Sequence, residues 1–191
     1  MRNRIIIASI LIIALAMIAV LPAAALSSIP TLPCEISGTV TINGEPAPPG
    51  AIVTAFVAGN EVARIIVREP GMIGGSGPFD ERLIIQQSAY GEEREIQPGA
   101  EIAFFIHGYP ADETARFGSG ESLRISITQT ALKGDLNGNG RVDIGDVSRV
   151  AYMSVGLVEE ELRGDFSYDG RVQAADAARI AYFYVGKIPA L

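Results

Sequence analysis

Residues 134–156 read GDLNGNGRVDIGDVSRVAYMSVG, and residues 164–186 read GDFSYDGRVQAADAARIAYFYVG. The second copy is roughly half identical to the first and starts 30 residues after it. A repeat of this length is ordinarily one supersecondary unit used twice. Both copies keep Gly-Asp at the start, Gly-Arg-Val in the middle, an Asp six residues after that Gly, and Arg-x-Ala-Tyr-x-x-Val-Gly at the end.

Numbering the first copy from Asp135 puts Asn137 at position 3, Asn139 at 5, Gly140 at 6, Arg141 at 7 and Asp146 at 12. An EF-hand calcium loop takes ligands from positions 1, 3, 5, 7 and 12 and turns sharply on a glycine at 6. The alternation follows from a chain curling round an ion, with every second side chain inward. Position 7 supplies only its carbonyl, so Arg141 is tolerated there. Two Asp and two Asn are hard oxygen donors, as calcium requires. Asp at position 12 replaces the Glu of the EF-hand pattern. Val142, at position 8, is placed to pair with the other loop through a short β-bridge.

The second copy fills the same offsets with Asp165, Ser167, Asp169, Gly170, Arg171 and Asp176. Ser167 is a short neutral ligand, so this site is expected to hold calcium less tightly. Two calcium ions are therefore expected. The competing explanation is a pair of Asx turns, in which Asp146 and Asp176 do no more than cap helices.

Each loop runs into a short helix. Over 146–155, Val147, Val150, Ala151 and Val155 fall near helical spacing, and over 176–185 Ala177, Ile180, Ala181 and Tyr184 do. Gly156 and Gly186 stand where helix C-termini favour glycine. Residues 121–132, ESLRISITQTAL, alternate like a strand, so no helix enters the first loop. The unit is a loop followed by a helix, twice.

On these residues, 134–188 resemble a dockerin, the module that docks onto a cohesin domain, and archaeal dockerin-like repeats in particular. The resemblance implies two bound calcium ions, a cohesin-like domain on another protein as partner, and a recognition surface at loop positions 10, 11, 17 and 18. Here these are Ile144, Gly145, Ala151 and Tyr152, then Ala174, Ala175, Ala181 and Tyr182. Better-studied members often carry Ser-Thr and Lys-Arg there, so this contact is expected to be more apolar. The near-symmetry of the repeats implies that either helix can face the partner. Arg149 with Tyr152 and Arg179 with Tyr182 lie i, i+3 and are of residue types favoured at interface hot spots. They are the candidate contacts, against the alternative that the tyrosines are core.

Working towards the N-terminus, residues 35–131 read as all-β. Ile36, Gly38, Val40 and Ile42 alternate with polar residues, as in a half-buried strand. Residues 51–58 and 61–68 are strand-like and joined at Gly59-Asn60. Residues 83–87, 101–107 and 122–128 follow. About seven short strands suggest a β-sandwich. Residues 38–53, GTVTINGEPAPPGAIV, are similar to the opening of transthyretin-like or carboxypeptidase-regulatory-like sandwiches. Residues 1–25 read as a signal peptide: Arg2 and Arg4, an apolar run from Ile5 to Leu21, then Ala23-Ala24-Ala25. A retained membrane anchor is the alternative. Cys34 is the single cysteine, so no intrachain disulfide forms.

The expected layout is multidomain: signal peptide 1–25, linker 26–34, all-β sandwich 35–131, and a small α dockerin-like module 132–191 with two calcium loop-helix repeats. Net charge is −7, which argues against nucleic acid as partner. Residues 134–191 carry nine carboxylates and six basic groups, a net of −3. Calcium would relieve that repulsion. A module this small has little core of its own, so metal is expected to supply much of its folding free energy. His107 is the only histidine, and no nucleophile pairs with it. Glu92-Glu93, Glu95 and Asp112-Glu113 are the acidic residues an enzyme would have to use. The reading is a secreted, non-catalytic protein that docks through its calcium module. The alternatives are a surface or envelope structural protein, or a carbohydrate-binding sandwich tethered by the module.

Overall fold

Alternation of apolar and polar residues places one face of each strand in a core, because side chains on a strand point to opposite faces in turn. In β1 (Cys34–Ile42), Cys34, Ile36 and Val40 are buried. In β3 (Ile52–Val57) Val53 and Ala55 are, and in β7 (Glu101–Ile106) Ile102, Phe104 and Ile106 are. These residues belong to one hydrophobic core. Full burial of an Ile or Phe contributes about 1.5–3 kcal/mol. The computed structural model describes residues 32–75, 77, 79–87 and 95–191. The signal segment, the start of the linker and Glu92-Glu93 lie outside the described residues.

Two sheets enclose this core. The first is built on β1. Along one edge β1 pairs antiparallel with three short pieces in turn: β2 (Glu45–Pro46), β5 (Met72–Ile73) and β6 (Leu83–Ile85). Its other edge pairs in parallel with β9 (Ser122–Gln129), from Glu35 opposite Ser122 to Ile42 opposite Gln129. The second sheet is antiparallel in the order β4-β3-β7-β8, with β4 at Asn60–Ile66 and β8 at Tyr109–Arg116. Cys34 lies inside the core, and burial raises its thiol pKa.

Three tight hairpins share one turn chemistry. Asn43-Gly44, Ala58-Gly59 and His107-Gly108 all have positive φ at both residues, the signature of a type I′ turn that matches strand twist. The turn expected at Gly59-Asn60 is therefore one residue earlier, and Asn60 begins β4. Strand β8, YPADETAR, does not read as a strand in sequence. It lies at the sheet's edge, where Pro110 is tolerated. Two of its acids are structural: Glu113 accepts from Thr128 N at 2.6 Å, and Asp112 from Thr130 Oγ1 at 3.2 Å.

Two helices follow, α1 (Ile144–Ser154) and α2 (Ala174–Tyr184), joined through a 3₁₀ turn at Leu162–Gly164. They pack on each other over a small core of Leu136, Val150, Met153, Phe166, Val172 and Ile180. Both start two residues before the expected positions. Asp143 and Gln173 are the N-caps, and Asp146 and Asp176 complete capping boxes from the third helical position. Among the described residues no β-bridge joins Val142 to Val172. The Val172 N–H points to Glu160 instead, at 3.5 Å.

The expected multidomain layout, with a separate small α module after a sandwich, is overturned. Thr31–Leu191 form one compact, β-rich unit of two sheets with only these two short helices. The physical reason lies in how the second loop packs. Tyr168 packs against the sheet core, and its ring centroid is 4.5 Å from that of His107. Tyr109 Oη accepts from Gly134 N at 2.9 Å. A core of six buried apolar side chains is too small to stand alone, and Tyr168 ties the second loop to the larger core of the sheets.

Two glycines permit the close approach. A Cβ on Gly50 would lie 2.3 Å from the Tyr168 carbonyl oxygen, and one on Gly108 3.0 Å from Arg163 Cγ. Both glycines also have positive φ. Gly50→Ala is expected to destabilise the protein by about 2 kcal/mol, read as a lower urea midpoint. An unchanged midpoint would show that the loop does not bear on the sheets there.

Candidate functional site

The chain around loop 1 turns its N–H groups inward onto two carboxylates. Asp135 Oδ1 accepts from Gly138 N at 2.7 Å and Asn139 N at 3.1 Å, and Oδ2 accepts from Gly140 N at 2.7 Å. Asp146 is fully buried. Its Oδ1 accepts from Leu136 N at 2.9 Å and Asn137 N at 3.2 Å, and its Oδ2 from Asp143 N at 2.9 Å. Between them, Asn137 Oδ1 accepts from Asn139 N and Asn139 Oδ1 from Arg141 N, both at 3.0 Å. The five predicted ligand positions thus belong to one curled loop.

Loop 2 repeats the scheme. Asp165 Oδ2 accepts from Gly170 N at 2.7 Å, and its Oδ1 accepts from Ser167 N at 3.1 Å and Ser167 Oγ at 3.0 Å. Asp176 Oδ1 accepts from Phe166 N at 2.9 Å and Ser167 N at 3.0 Å, and Oδ2 from Gln173 N at 2.9 Å. Asp169 Oδ1 accepts from Arg171 N at 3.0 Å. The position-12 acids make matching bonds in the two loops, although only two of the other four ligand positions carry identical residues.

Neither Asp135 nor the buried Asp146 has a cationic side chain within 4.0 Å among the described residues. Hydrogen bonds from backbone N–H groups stabilise the charged form. Carboxylate, amide and peptide oxygens make up the whole set at the five predicted positions, so their chemistry fits a hard cation such as calcium rather than a thiophilic metal. No group of three His, Cys, Asp or Glu side chains suited to a metal occurs among the described residues. Loop 1 has only two acids among its predicted ligands, and the amides of Asn137 and Asn139 are its other side-chain donors.

One residue at the loop was missed. Asp143 occupies position 9, from which EF-hand loops often ligate through water. Hydrogen bonds from Gly145 N, Asn139 Nδ2 and Arg141 hold its carboxyl below the usual range. The offset from Asp135 was the available signal. Its counterpart in loop 2 is Gln173.

The loops differ at position 4. Gly138 and Tyr168 both have positive φ, 74° and 60°. Glycine adopts that conformation freely, whereas a tyrosine is strained in it. Tyr168 is held by the contacts that fix loop 2 to the sheets. His107 Nε2 donates to the Asp165 carbonyl at 2.9 Å and lies 3.4 Å from Asp165 Oδ2. Burial holds the His107 imidazole below its usual pKa, although Asp165 opposes this. Among the described residues its buried Nδ1 has no hydrogen-bond partner. Burial pushes Tyr168 up to about 12 and Lys133 down to about 8.

The predicted contact residues lie on the helices. Tyr152 and Tyr182 are 52% and 57% exposed, so neither is core. Ile144, Gly145, Ala174 and Ala175 are exposed at the helix N-termini, while Ala151 and Ala181 are half-buried. Further apolar side chains are exposed at or just beyond the C-terminal ends of α1 and α2: Val155, Leu157, Tyr184 and Val185. Both arginines are engaged within the chain. Arg149 pairs with Glu161, which also pairs with Arg163 at 2.5 Å. Burial favours the neutral Glu161, and the two guanidiniums override it and lower its pKa. Arg179 Nη1 donates to the Phe166 carbonyl at 3.0 Å.

Among the described residues no helix is long and apolar enough to cross a membrane. No protein-family model matches the sequence, and no curated protein matches it.

Proposed function

We propose that the two loops bind calcium and that the exposed surface of α1 and α2 docks onto a cohesin-like domain of another protein. The observation that carries this reading is the doubled hydrogen-bond scheme, in which the buried acid at position 12 accepts from the backbone N–H groups of positions 2, 3 and 9 in both loops. Loop 1 would hold an ion through Asp135, Asn137, Asn139, the Arg141 carbonyl and Asp146. Loop 2 would use Asp165, Ser167, Asp169, the Arg171 carbonyl and Asp176. Bound calcium supplies positive charge that offsets carboxylate repulsion and fixes the loop. The residues themselves set the helix N-termini, because Asp146 and Asp176 are both loop members and capping residues.

The docking surface is apolar with a tyrosine on each helix, Tyr152 and Tyr182, both outward. Exposed apolar side chains on both helices support an interaction site, and the dockerin resemblance supports the class of partner. The protein acts without catalysis, outside the cytosol, where calcium is abundant enough for weak sites.

Isothermal titration of calcium into the purified protein is expected to give two binding events, with loop 1 the tighter. Immobilised protein is expected to retain a cohesin domain in calcium and release it in chelator. Absence of calcium binding would overturn the metal reading; calcium binding with no cohesin retained would remove the docking partner. A second reading rests on the His107–Asp165 contact: calcium in loop 2 fastens the repeats to the sheets of the same chain. Under it, His107→Ala weakens calcium at one site only.

A further inference from the structure

Each loop bonds an amide to a carboxylate across positions 5 and 9, and the direction of that bond is reversed between the copies. In loop 1 Asn139, at position 5, donates through Nδ2 to Asp143 Oδ2, at position 9, at 3.0 Å. In loop 2 the amide stands at position 9 and the acid at 5, and Gln173 Nε2 donates to Asp169 Oδ2 at 2.7 Å. The other oxygen at position 5 acts alike in both, accepting from Arg141 N or Arg171 N at 3.0 Å. Neither loop therefore sets two charges against each other at these positions.

The two amides are not chemically equivalent. Asn139 is followed by Gly140, and a glycine nitrogen, with no Cβ beside it, can close on an asparagine side-chain carbon. Gln173 is followed by Ala174, and its extra methylene makes the corresponding ring slower to form. Asn139 is exposed, and a Cβ on Gly140 would meet no atom within 4 Å, so the surroundings are open. The Gly140 N–H is held by Asp135 Oδ2 at 2.7 Å. Reaction therefore waits on a local opening of the loop.

We propose that Asn139 is a site of spontaneous deamidation, and that its conversion sets two carboxylates face to face in loop 1. The Gly140 nitrogen bonds to Asn139 Cγ, and its proton leaves with the side-chain amide as ammonia. Water then opens the cyclic imide at either carbonyl, giving aspartate or isoaspartate, with no oxidant or reductant. The aspartate product opposes Asp143 where an amide donor stood. Among the described residues Arg141 Nε is then the side-chain donor left to Asp143. Like charges that close repel, so the loop without metal is weakened. A cation between them is favoured for the same reason, and calcium affinity is tuned by ligand charge. That gain in affinity rests on the calcium reading above; the covalent step and the repulsion do not.

The test holds the purified protein at mildly alkaline pH, in chelator and in calcium, and maps its peptides by mass. Asn139 is expected to convert in chelator. Conversion is expected to be at least roughly tenfold slower in calcium well above its dissociation constant, because binding suppresses opening. Asn139→Asp installs the product. Its melting temperature in chelator is expected to fall, and its calcium affinity at loop 1 to rise at least roughly threefold. The double variant Asn139→Asp/Asp143→Asn restores an amide opposite an acid, as in loop 2, and Asn caps a helix about as well as Asp. It is expected to recover the parent's melting temperature in chelator. Persistence of the amide at Asn139 in chelator, an Asn139→Asp melt equal to the parent's, or a double variant no more stable than Asn139→Asp would each overturn the proposal. Failure of the calcium reading would show separately, as equal conversion with and without calcium.

Discussion

Gly38→Ala is expected to leave little folded protein. Gly38 sits in the middle of β1 with φ 147°, where L side chains are rarely found. A Cβ built there would lie 1.7 Å from the carbonyl oxygen of Ile125, an overlap with backbone that no side-chain rotation relieves. Residues 38 and 125 are register partners in the parallel β1–β9 ladder. The strands would have to part at the centre of the sheet, with β5 pairing to β1 at the same residue. The loss is on the order of 4 kcal/mol or more, in the range reserved for damage to a core element. Against a typical total of about 5–15 kcal/mol, that is enough to unfold a marginal domain. Circular dichroism and urea denaturation check it. A folded variant with a midpoint near that of the parent would show that β1 and β9 can separate locally at small cost.

Asp146→Ala is expected to cost about as much, and for a different reason. The carboxylate is buried and accepts from Leu136 N, Asn137 N and Asp143 N. Removing it leaves these donors without their acceptor, at about 1–3 kcal/mol for each that stays buried. It also deletes the capping box of α1, worth about 1 kcal/mol. Thermal unfolding in chelator isolates this structural part, which is expected to persist without calcium. Asp146→Asn separates the two roles. It keeps the shape and one acceptor oxygen, so its melting temperature in chelator should fall less than that of Asp146→Ala. Calcium binding at loop 1 should be lost in both. If Asp146→Asn bound calcium as the parent does, Asp146 would be a capping residue and no ligand.

The loops were legible because their information is local. Asp, Asn and Gly at fixed offsets from Asp135 and from Asp165 prescribe a curl, and the curl appears with matching donors. Strand β1 was legible because its alternation is strong. What escaped reading depends on residues far apart in sequence. Nothing near His107 announces that its imidazole meets Asp165, or that Gly50 leaves room for Tyr168. Those contacts made the expected separate module part of one β-rich unit. Strand β8 escaped because edge strands need little apolar patterning, and YPADETAR has almost none. The helix starts were misplaced by two residues because Asp146 and Asp176 look like N-caps. The true caps, Asp143 and Gln173, are of unlike types, and one of them is a weak capper.

The parallel pairing of β1 with β9 also bears on the order of events during synthesis. The first strand of the unit finds its neighbour only when residues 122–129 have left the ribosome. Until then one edge of β1 has no partner, and a bare strand edge is a template for association with other chains. Contacts this distant in sequence make folding slow. The sheets therefore close late, and the surface formed by Gly50, His107 and Gly108 is completed only shortly before the repeats emerge. Closure of the sheets is therefore expected to be sensitive to chaperones that shield β1 while β9 is still being made.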